Sequence, residues 1–456
     1  MFMAKDGFNR KLIAPMVLGS ILNPINSSII SIALVPIGAA FHALPSQTAW
    51  LVSALYLATA IGQPVVGKLI DLFGPRLLFL IATSMVGLSG LLAVFAPNLW
   101  WMVGARVLLG FGTCAGYPAS MYLIRREAER TGEESPSGVL TVLAVANQTV
   151  AVIGPTLGGL LIEWSGWQGS FLINIPLSAA CLVLGSLRFP KAPRRDRGER
   201  TPSIDYAGMI FFAVTLLSAL LFLMSPHPRT LSFAGLAVVF GALFVRRELR
   251  TPRPFIDVRV LGGNVPLLLT YARNLLGAVV TYSFLYGFSQ WLEEGRGLSP
   301  SVSGLLLLPM FASGLAVSAT TGKHPAVRPK LAVGSSVMLA VTALLLGAKG
   351  DTPVYLLVGI GILMGVPQGL LNLANQNALY HQAQPEQIGA SSGLLRTFAY
   401  IGAMLASAAN GLFLRSGATT AGMHQLAWFC LVVGAILLGM TLPDRSLGKI
   451  GRNAQA

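Results

Sequence analysis

Three arginines lie inside long apolar segments of this 456-residue chain: Arg106, Arg273 and Arg396. A charged side chain at the centre of a bilayer costs about 2.5–3.5 kcal/mol on insertion scales, so each arginine should face an internal cavity or a partner. Arg273 has a simpler alternative, because its long side chain could extend back from near a segment end to the aqueous surface. Inside such segments, charged residues usually mark a solute pathway.

Side-chain amides are also frequent in the apolar segments. Such groups either hydrogen-bond neighbouring helices to each other or line a polar pathway. We predict that substrate contact and coupling involve eight residues: Asn23, Asn26, Arg106, Gln148, Arg273, Gln368, Asn372 and Arg396.

The 17 Asp and Glu residues are placed at the ends of apolar segments or between them. Proton-coupled transport usually needs a buried group that gains and loses a proton, and a central carboxylate is the usual choice. The sequence places no carboxylate there, so the coupling ion stays open. Arginines without a central acid favour an anionic, zwitterionic or neutral amphiphile over a large organic cation.

The chain is not predicted to be an enzyme. No nucleophile–base pair and no metal-binding spacing is present, so neither a cofactor nor a metal is expected. Cys114, Cys181 and Cys430 each fall in a different apolar segment, which favours packing roles over a disulfide or a metal site.

The apolar segments are long enough to be membrane-spanning helices. Hydrophobic residues make up 54% of the chain and charged residues only 11%, whereas a soluble domain carries about 25% charged residues. Each of fourteen segments approaches the ~20 residues that a helix needs to cross a bilayer. We therefore expect an all-α polytopic membrane protein.

Two charged stretches divide the fourteen spans into groups of six, two and six. The predicted units are residues 1–189, a six-helix bundle; residues 190–262, linkers with two extra helices; and residues 263–456, a second six-helix bundle. Two six-helix halves are what a rocking transporter with internal repeats needs.

The basic residues behind the net charge of +15 are distributed unevenly between the two sides of the membrane, and this distribution indicates the topology. If both termini lie inside the cell, 25 of the 32 Lys and Arg lie on that side, four lie in outer loops and three within spans. This asymmetry follows the positive-inside rule and predicts cytoplasmic termini. The Arg-rich, Lys-poor composition indicates a bacterial source, and the expected location is therefore the bacterial inner membrane. The expected partners are the lipid bilayer and a small-molecule substrate, without nucleic acid.

The most specific motif is the short connection between the second and third spans. Gly67, Asp71, Gly74 and Arg76 follow the pattern glycine-x-leucine-x-aspartate-x-x-glycine-x-basic. Glycines allow a sharp turn, and a carboxylate is favoured at a helix N-terminus or beside cations. We expect Arg76 or the basic pair 125–126 to supply those cations, and the cluster to hold one conformation and release in another. The alternative is a tight turn with solvated charges.

This connection resembles the signature loop of the major facilitator superfamily. The family often has basic residues where Leu72 and Pro75 stand, so a thinner charge relay is expected here. Arg106, followed by Gly110 and Gly112, resembles the family's arginine-plus-glycine motif in the fourth helix.

The fifth span carries a second string, in which Gly154, Pro155, Gly158 and Gly159 resemble a motif of the family's drug exporters. Glycines let a neighbouring helix approach closely, and proline bends a helix. A glycine-rich packing face would explain the glycines alone, so the proline matters for the exporter interpretation. Further stretches that resemble the fourteen-helix drug:proton antiporters are 164–176, 204–208, 254–260 and 298–309.

The resemblance implies the major-facilitator fold with 6 + 2 + 6 helices and a secondary active exporter of small amphiphilic compounds, as in multidrug efflux by antiport. The family commonly has an aspartate where Asn26 stands, which leaves proton coupling open. Two alternatives remain: a facilitator or importer of an organic anion, and a transport-inactive membrane sensor or scaffold. The glycine-proline string favours export, and the intact Asp71 favours a working transporter.

Overall fold

The fold is described from a computed structural model that covers residues 8–43, 45–48, 50–132, 137–191, 204–224, 228–252, 254–298, 300–322, 324, 326–414 and 417–450. Within these ranges the regular structure is helical, without a β-strand. Most of the predicted linker, Pro190–Pro202, lies outside the described residues. The expected all-α class is confirmed.

The α-helices are α1 Ile13–Ala40, α2 Pro45–Thr48, α3 Trp50–Phe73, α4 Pro75–Val94, α5 Leu99–Gly112, α6 Gly116–Thr131, α7 Ser137–Ser165, α8 Gly169–Leu172, α9 Asn174–Arg188, α10 Tyr206–Met224, α11 Leu231–Glu248, α12 Val258–Gly263, α13 Val265–Gln290, α14 Pro300–Thr321, α15 Val327–Leu345, α16 Val354–Gln382, α17 Ile388–Phe413 and α18 Thr420–Thr441. A π-helical turn, Trp291–Gly295, extends α13.

Twelve helices of the described chain are long and apolar enough to cross a membrane, so the predicted count of fourteen is not confirmed. The two expected spans outside this group are α13 and α17, each of 26 residues. Polar residues along them, including Arg273 and Arg396, lower their hydropathy. Length alone would allow both to cross, since 26 residues span about 39 Å.

We call α1–α9 the N-terminal half and α13–α18 the C-terminal half. We call the end of the bundle where Asp71 lies the Asp71 end. A single buried apolar cluster there joins Phe79 and Ile124 of the N-terminal half to Leu379 and Leu395 of the C-terminal half. The halves are therefore held together at the Asp71 end by a shared hydrophobic core.

The two extra helices lie on the outside of this arrangement. Helix α10 packs against α3, α17 and α11, with Leu216 and Leu220 against Leu57 and Met404. Helix α11 leaves apolar residues exposed, such as Val238 at 72%. An apolar helix that is exposed to this extent fits a lipid-facing position.

Candidate functional site

Asp71 joins the two halves at the Asp71 end of the bundle. It stands in the last turn of α3, and its two carboxylate oxygens accept hydrogen bonds from the backbone N–H groups of Gly389 and Ala390, each at 2.9 Å. These donors begin α17 in the other half. The carboxylate thus caps a helix N-terminus, where the unpaired N–H groups and the helix dipole favour negative charge.

Glycines let α3 and α17 approach this closely. A Cβ on Gly67 would clash with the carbonyl of Gly389, and a Cβ on Gly393 would clash with the carbonyl of Gln63. One step further along, Thr397 donates a hydrogen bond to the Ala60 carbonyl at 2.7 Å. The two halves are therefore in backbone contact along several turns of these helices.

Arg76 and Arg125, the cations expected beside Asp71, form hydrogen bonds with other groups, which corrects the predicted charge cluster. Arg76 donates to the carbonyl of Ser186 at 2.6 Å, at the end of α9 within the same half. Arg125 instead crosses between halves: it donates to the carbonyl of Tyr380 at 3.3 Å, near the end of α16, and pairs with Glu129 at 3.0 Å. The carboxylate of Asp71 thus contacts a helix N-terminus, and the guanidinium of Arg125 contacts a helix C-terminus. Both contacts are favourable interactions with a helix dipole.

Gly74 provides the turn that the motif predicted. It lies between α3 and α4 with φ of 85°, in the left-handed region that glycine adopts without steric cost. Pro75 then begins α4 at its first position, where a missing N–H costs nothing.

A polar centre lies between the halves, about midway along the bundle. Asn23 of α1 donates to Thr59 at 3.2 Å and Thr113 at 3.0 Å, and it accepts from the hydroxyl of Tyr400 at 3.0 Å. Tyr400 belongs to the C-terminal half, so Asn23 connects four elements across the interface.

Arg396 faces the same centre and is surrounded by tyrosines. Its guanidinium carbon lies 4.2 Å from the ring centroid of Tyr117, an arrangement favourable for a cation–π interaction. Tyr282 and Tyr400 lie within electrostatic range of it, and the ring of Tyr400 packs against that of Tyr56 in a tilted arrangement with centroids 5.6 Å apart. No carboxylate pairs with Arg396 among the described residues.

Sequence reasoning missed these tyrosines, because an aromatic ring in an apolar segment predicts packing. The spacing contained a signal, since Arg396 and Tyr400, and likewise Tyr282 and Tyr286, are four residues apart and share a helix face. We call Tyr56, Tyr117, Tyr282, Tyr286, Tyr400, Asn23 and Arg396 the central cluster.

Two glutamines lie at a second contact between the halves. Gln148 of α7 donates to the Ser318 hydroxyl of α14 at 3.0 Å, and Gln368 of α16 lies beside the same stretch of α14 at Gly314. The Oε1 atoms of both glutamines are buried without a hydrogen-bond partner in the described structure. Asn372, one turn along α16, is half-buried and accepts from Gln376 at 2.8 Å. These amides remain available to a polar ligand.

Asn26 lies elsewhere, which corrects its assignment to the substrate pathway. Its side chain exchanges two hydrogen bonds with that of Asn174 of α9, at 2.6 and 2.9 Å, and both residues are buried. A reciprocal amide pair of this kind satisfies its own donors and acceptors. Asn26 therefore binds α1 to α9 within the N-terminal half.

Arg273 is likewise placed away from the central cluster. It is fully buried, lies 2.8 Å from Asp444 and donates to Thr270 at 3.1 Å. Burial alone would raise the pKa of Asp444, but hydrogen bonds from Ser446 and Arg273 and the arginine's charge lower it below 3.8. Arg273 thus has the partner that its charge requires.

Arg106 is buried at 1% exposure between α5 and α3, where its Nε donates to the carbonyl of Leu51 at 2.9 Å. Its Nη2 has no hydrogen-bond partner among the described residues. Gly110, one turn on, packs against Ala58 and the carbonyl of Leu55. The motif therefore fixes α5 to α3 and leaves part of one guanidinium unsatisfied.

The glycine string of α7 packs against α1, with one exception. A Cβ on Gly154 would clash with Ser28, and a Cβ on Gly158 would lie 3.2 Å from the backbone of Ile29. Gly159 has nothing within 4 Å, so close helix approach does not require it. The backbone of Pro155 continues α7, and its side chain lies outside the described part.

The sequence of the chain is similar to membrane transporters over most of its length. A sequence profile described as Major Facilitator Superfamily matches residues 16–407. An uncharacterized MFS-type transporter, YwoD of Bacillus subtilis, is 33% identical over 443 residues, 94% of this chain and 96% of that protein. A multidrug resistance protein B homolog of Mycobacterium tuberculosis is 28% identical, over 87% of this chain and 75% of its own. The riboflavin transporter RibZ of Clostridioides difficile is 25% identical, over 83% and 82%.

Proposed function

The chain belongs to the major facilitator superfamily, and we propose that it is a secondary exporter of small amphiphilic compounds that works by alternating access. As a member of this family it is a multi-pass membrane transporter. The observation that carries the proposal is the contact of Asp71 with Gly389 and Ala390, which joins the two halves at one end.

This contact has the properties of a releasable gate. Hydrogen bonds to a charged group contribute about 1.5–3 kcal/mol each, and Arg125 adds a second polar contact at the same end. A substrate that binds the alternative state more tightly by a few kcal/mol is enough to shift such an equilibrium. The interpretation as a gate, with Gly67 allowing the close approach, supports a working transporter over a scaffold.

We further propose that α13 and α17 also cross the membrane, which gives fourteen spans with both termini in the cytoplasm. The units would then be residues 1–189, 190–262 and 263–456, as in the fourteen-helix drug:proton antiporter branch. The positive-inside asymmetry and the position of α10 and α11 on the outside of the bundle support this proposal.

The substrate class follows from the central cluster. Arg396 has no carboxylate partner among the described residues and lies among tyrosine rings and hydroxyls, so an anionic or zwitterionic aromatic compound would find both a counter-charge and apolar faces. The Oε1 atoms of Gln148 and Gln368, which have no hydrogen-bond partner among the described residues, would accept hydrogen bonds from polar groups of the substrate. The positive charge of Arg396 also favours the second candidate, a facilitator or importer of an organic anion.

Flux in proteoliposomes distinguishes these functions. The purified protein is tested with an anionic, a neutral and a permanently cationic dye, with and without a pH gradient. In vesicles with the protein oriented as in the cell, movement of anionic or neutral dyes outward against their concentration gradient supports the exporter. Movement only down the dye's concentration gradient supports the facilitator. Preferred transport of the permanent cation would contradict the assignment of Arg396 to substrate binding.

A further inference from the structure

Two buried carboxylates face each other where the extra helices begin and end. Asp205 precedes α10 and Glu248 ends α11, and they are 6% and 1% exposed. One oxygen of Asp205 accepts from the Gly208 N–H at 3.0 Å and from Arg247 at 2.7 Å. One oxygen of Glu248 accepts from the Ile256 N–H at 2.9 Å. Each carboxylate therefore has one oxygen fully engaged.

The second oxygens, Asp205 Oδ2 and Glu248 Oε1, are buried and have no hydrogen-bond partner in the described part of the chain. Both lie beside Gly208, where a Cβ would clash with each of them, so they share one small space. Two anionic oxygens cannot share a buried space at low cost unless a cation or a proton lies between them. Among the described residues no group of three potential metal ligands is present.

We propose that Asp205 and Glu248 together bind one proton between Oδ2 and Oε1. The proton turns one oxygen into a donor and the other into its acceptor, so both unsatisfied atoms gain a partner. The protonated pair carries one negative charge, which Arg247 balances. Release of the proton to water leaves a second negative charge in the same buried space.

Lys68 connects this proton site to the gate. It precedes Asp71 by one turn of α3 and lies within electrostatic range of both Asp71 and Glu248. A pair that has lost its proton attracts Lys68 more strongly and draws it from Asp71. The other charges on the segment packed against Glu248 are engaged: Arg259 binds the Leu249 carbonyl, and its N–H binds Asp257. The proton thus biases the gate from outside the central cluster.

Infrared difference spectra of the purified full-length protein in lipid test the proposal. Spectra are recorded between about pH 5 and pH 9, the range over which a perturbed carboxyl group titrates. Wild type should lose one protonated-carboxyl C=O band as the pH rises. Asp205→Asn and Glu248→Gln should each remove that band, because the proton needs both acids. Glu163 is an exposed residue near the C-terminal end of α7, on a different helix from the pair; Glu163→Gln is the matched control and should keep the band.

Three results would overturn the proposal. The first is that the wild type shows no such band, and the second is that one of the two single variants retains it. The third is that added Na⁺ or Mg²⁺ removes the band at constant pH, which would make the pair a cation site. Glu248→Gln tests the pair even if Asp205→Asn misfolds, because a glutamine can accept from Ile256 and donate to Asp205 as the protonated acid does. The readout involves no transport, so it is independent of the exporter assignment.

Discussion

At the scale of single residues, Asp71 does for α17 what an N-cap side chain does for its own helix, but from the other half of the molecule. Both of its oxygens are acceptors, as the two N–H donors of Gly389 and Ala390 require. An asparagine at position 71 would keep one acceptor oxygen, and its NH₂ group would face one of the two backbone N–H donors. The charge, rather than the size, of this side chain should therefore determine how stable the closed gate is.

We expect Asp71→Asn to lower transport at least tenfold while membrane abundance stays near wild type. The reason is the loss of one charge-assisted hydrogen bond, which is worth about 1.5–3 kcal/mol or roughly a factor of 10 to 100. Flux in proteoliposomes and quantitative blotting measure the two effects. Asp351→Asn, an exposed change at the opposite end of the bundle, should transport normally. Wild-type flux in Asp71→Asn would show that the contact is not a gate.

The position of Arg396 in the central cluster leads to a separate prediction about substrate charge. We expect Arg396→Gln to reduce flux of an anionic dye tenfold or more and to leave flux of a neutral dye within about threefold, because only the anion loses its counter-charge. Exposed Arg445→Gln removes an equal charge from the surface and serves as the control. Equal losses for both dyes would indicate that Arg396 supports the fold instead of the substrate.

At the scale of helices, hydropathy is sufficient to place most of the long helices, but not the short helices α2, α8 and α12. The predicted span Tyr206–Met224 coincides with α10, because burial in lipid selects for apolar residues whatever the tertiary contacts. Partnerships between helices were not predictable in the same way. The sequence predicts Asn26 as a pathway residue, since nothing in its own segment shows that Asn174, 148 positions later, satisfies both of its polar groups.

The glycine string of α7 shows that local sequence does not separate packing glycines from free ones. We expect Gly158→Leu to abolish transport and lower abundance, because the side chain would force α7 away from Ile29 of α1, and overpacking typically costs about 1–3 kcal/mol. Gly159→Leu adds the same side chain one residue on, where there is open space. It should keep both flux and abundance, and equal loss in the two variants would refute the packing explanation.

At the scale of the whole molecule, charge asymmetry makes a prediction about orientation. A cysteine at Lys349 should react with a membrane-impermeant thiol reagent added outside intact cells, and a cysteine at Arg195 should react only after lysis. The native Cys114, Cys181 and Cys430 are buried and should contribute little background. Residue 195 lies outside the described ranges, so its position rests on the sequence alone. Labelling of both sites from the same side would contradict cytoplasmic termini.

The two halves also meet at a second place at the Asp71 end, and this contact allows a direct test of alternating access. A Cβ on Gly322, directly after α14, would clash with the side chain of Thr141 of α7, so cysteines at these two positions lie close enough for a disulfide in this state. We expect oxidation of Thr141→Cys/Gly322→Cys to stop transport and a reducing agent to restore it, because the halves could no longer separate there. Gly87→Cys/Ser178→Cys provides the control: its side chains meet within the N-terminal half, so its disulfide should leave transport intact. Continued transport by the fully cross-linked Thr141→Cys/Gly322→Cys protein would mean that the halves need not part at this end.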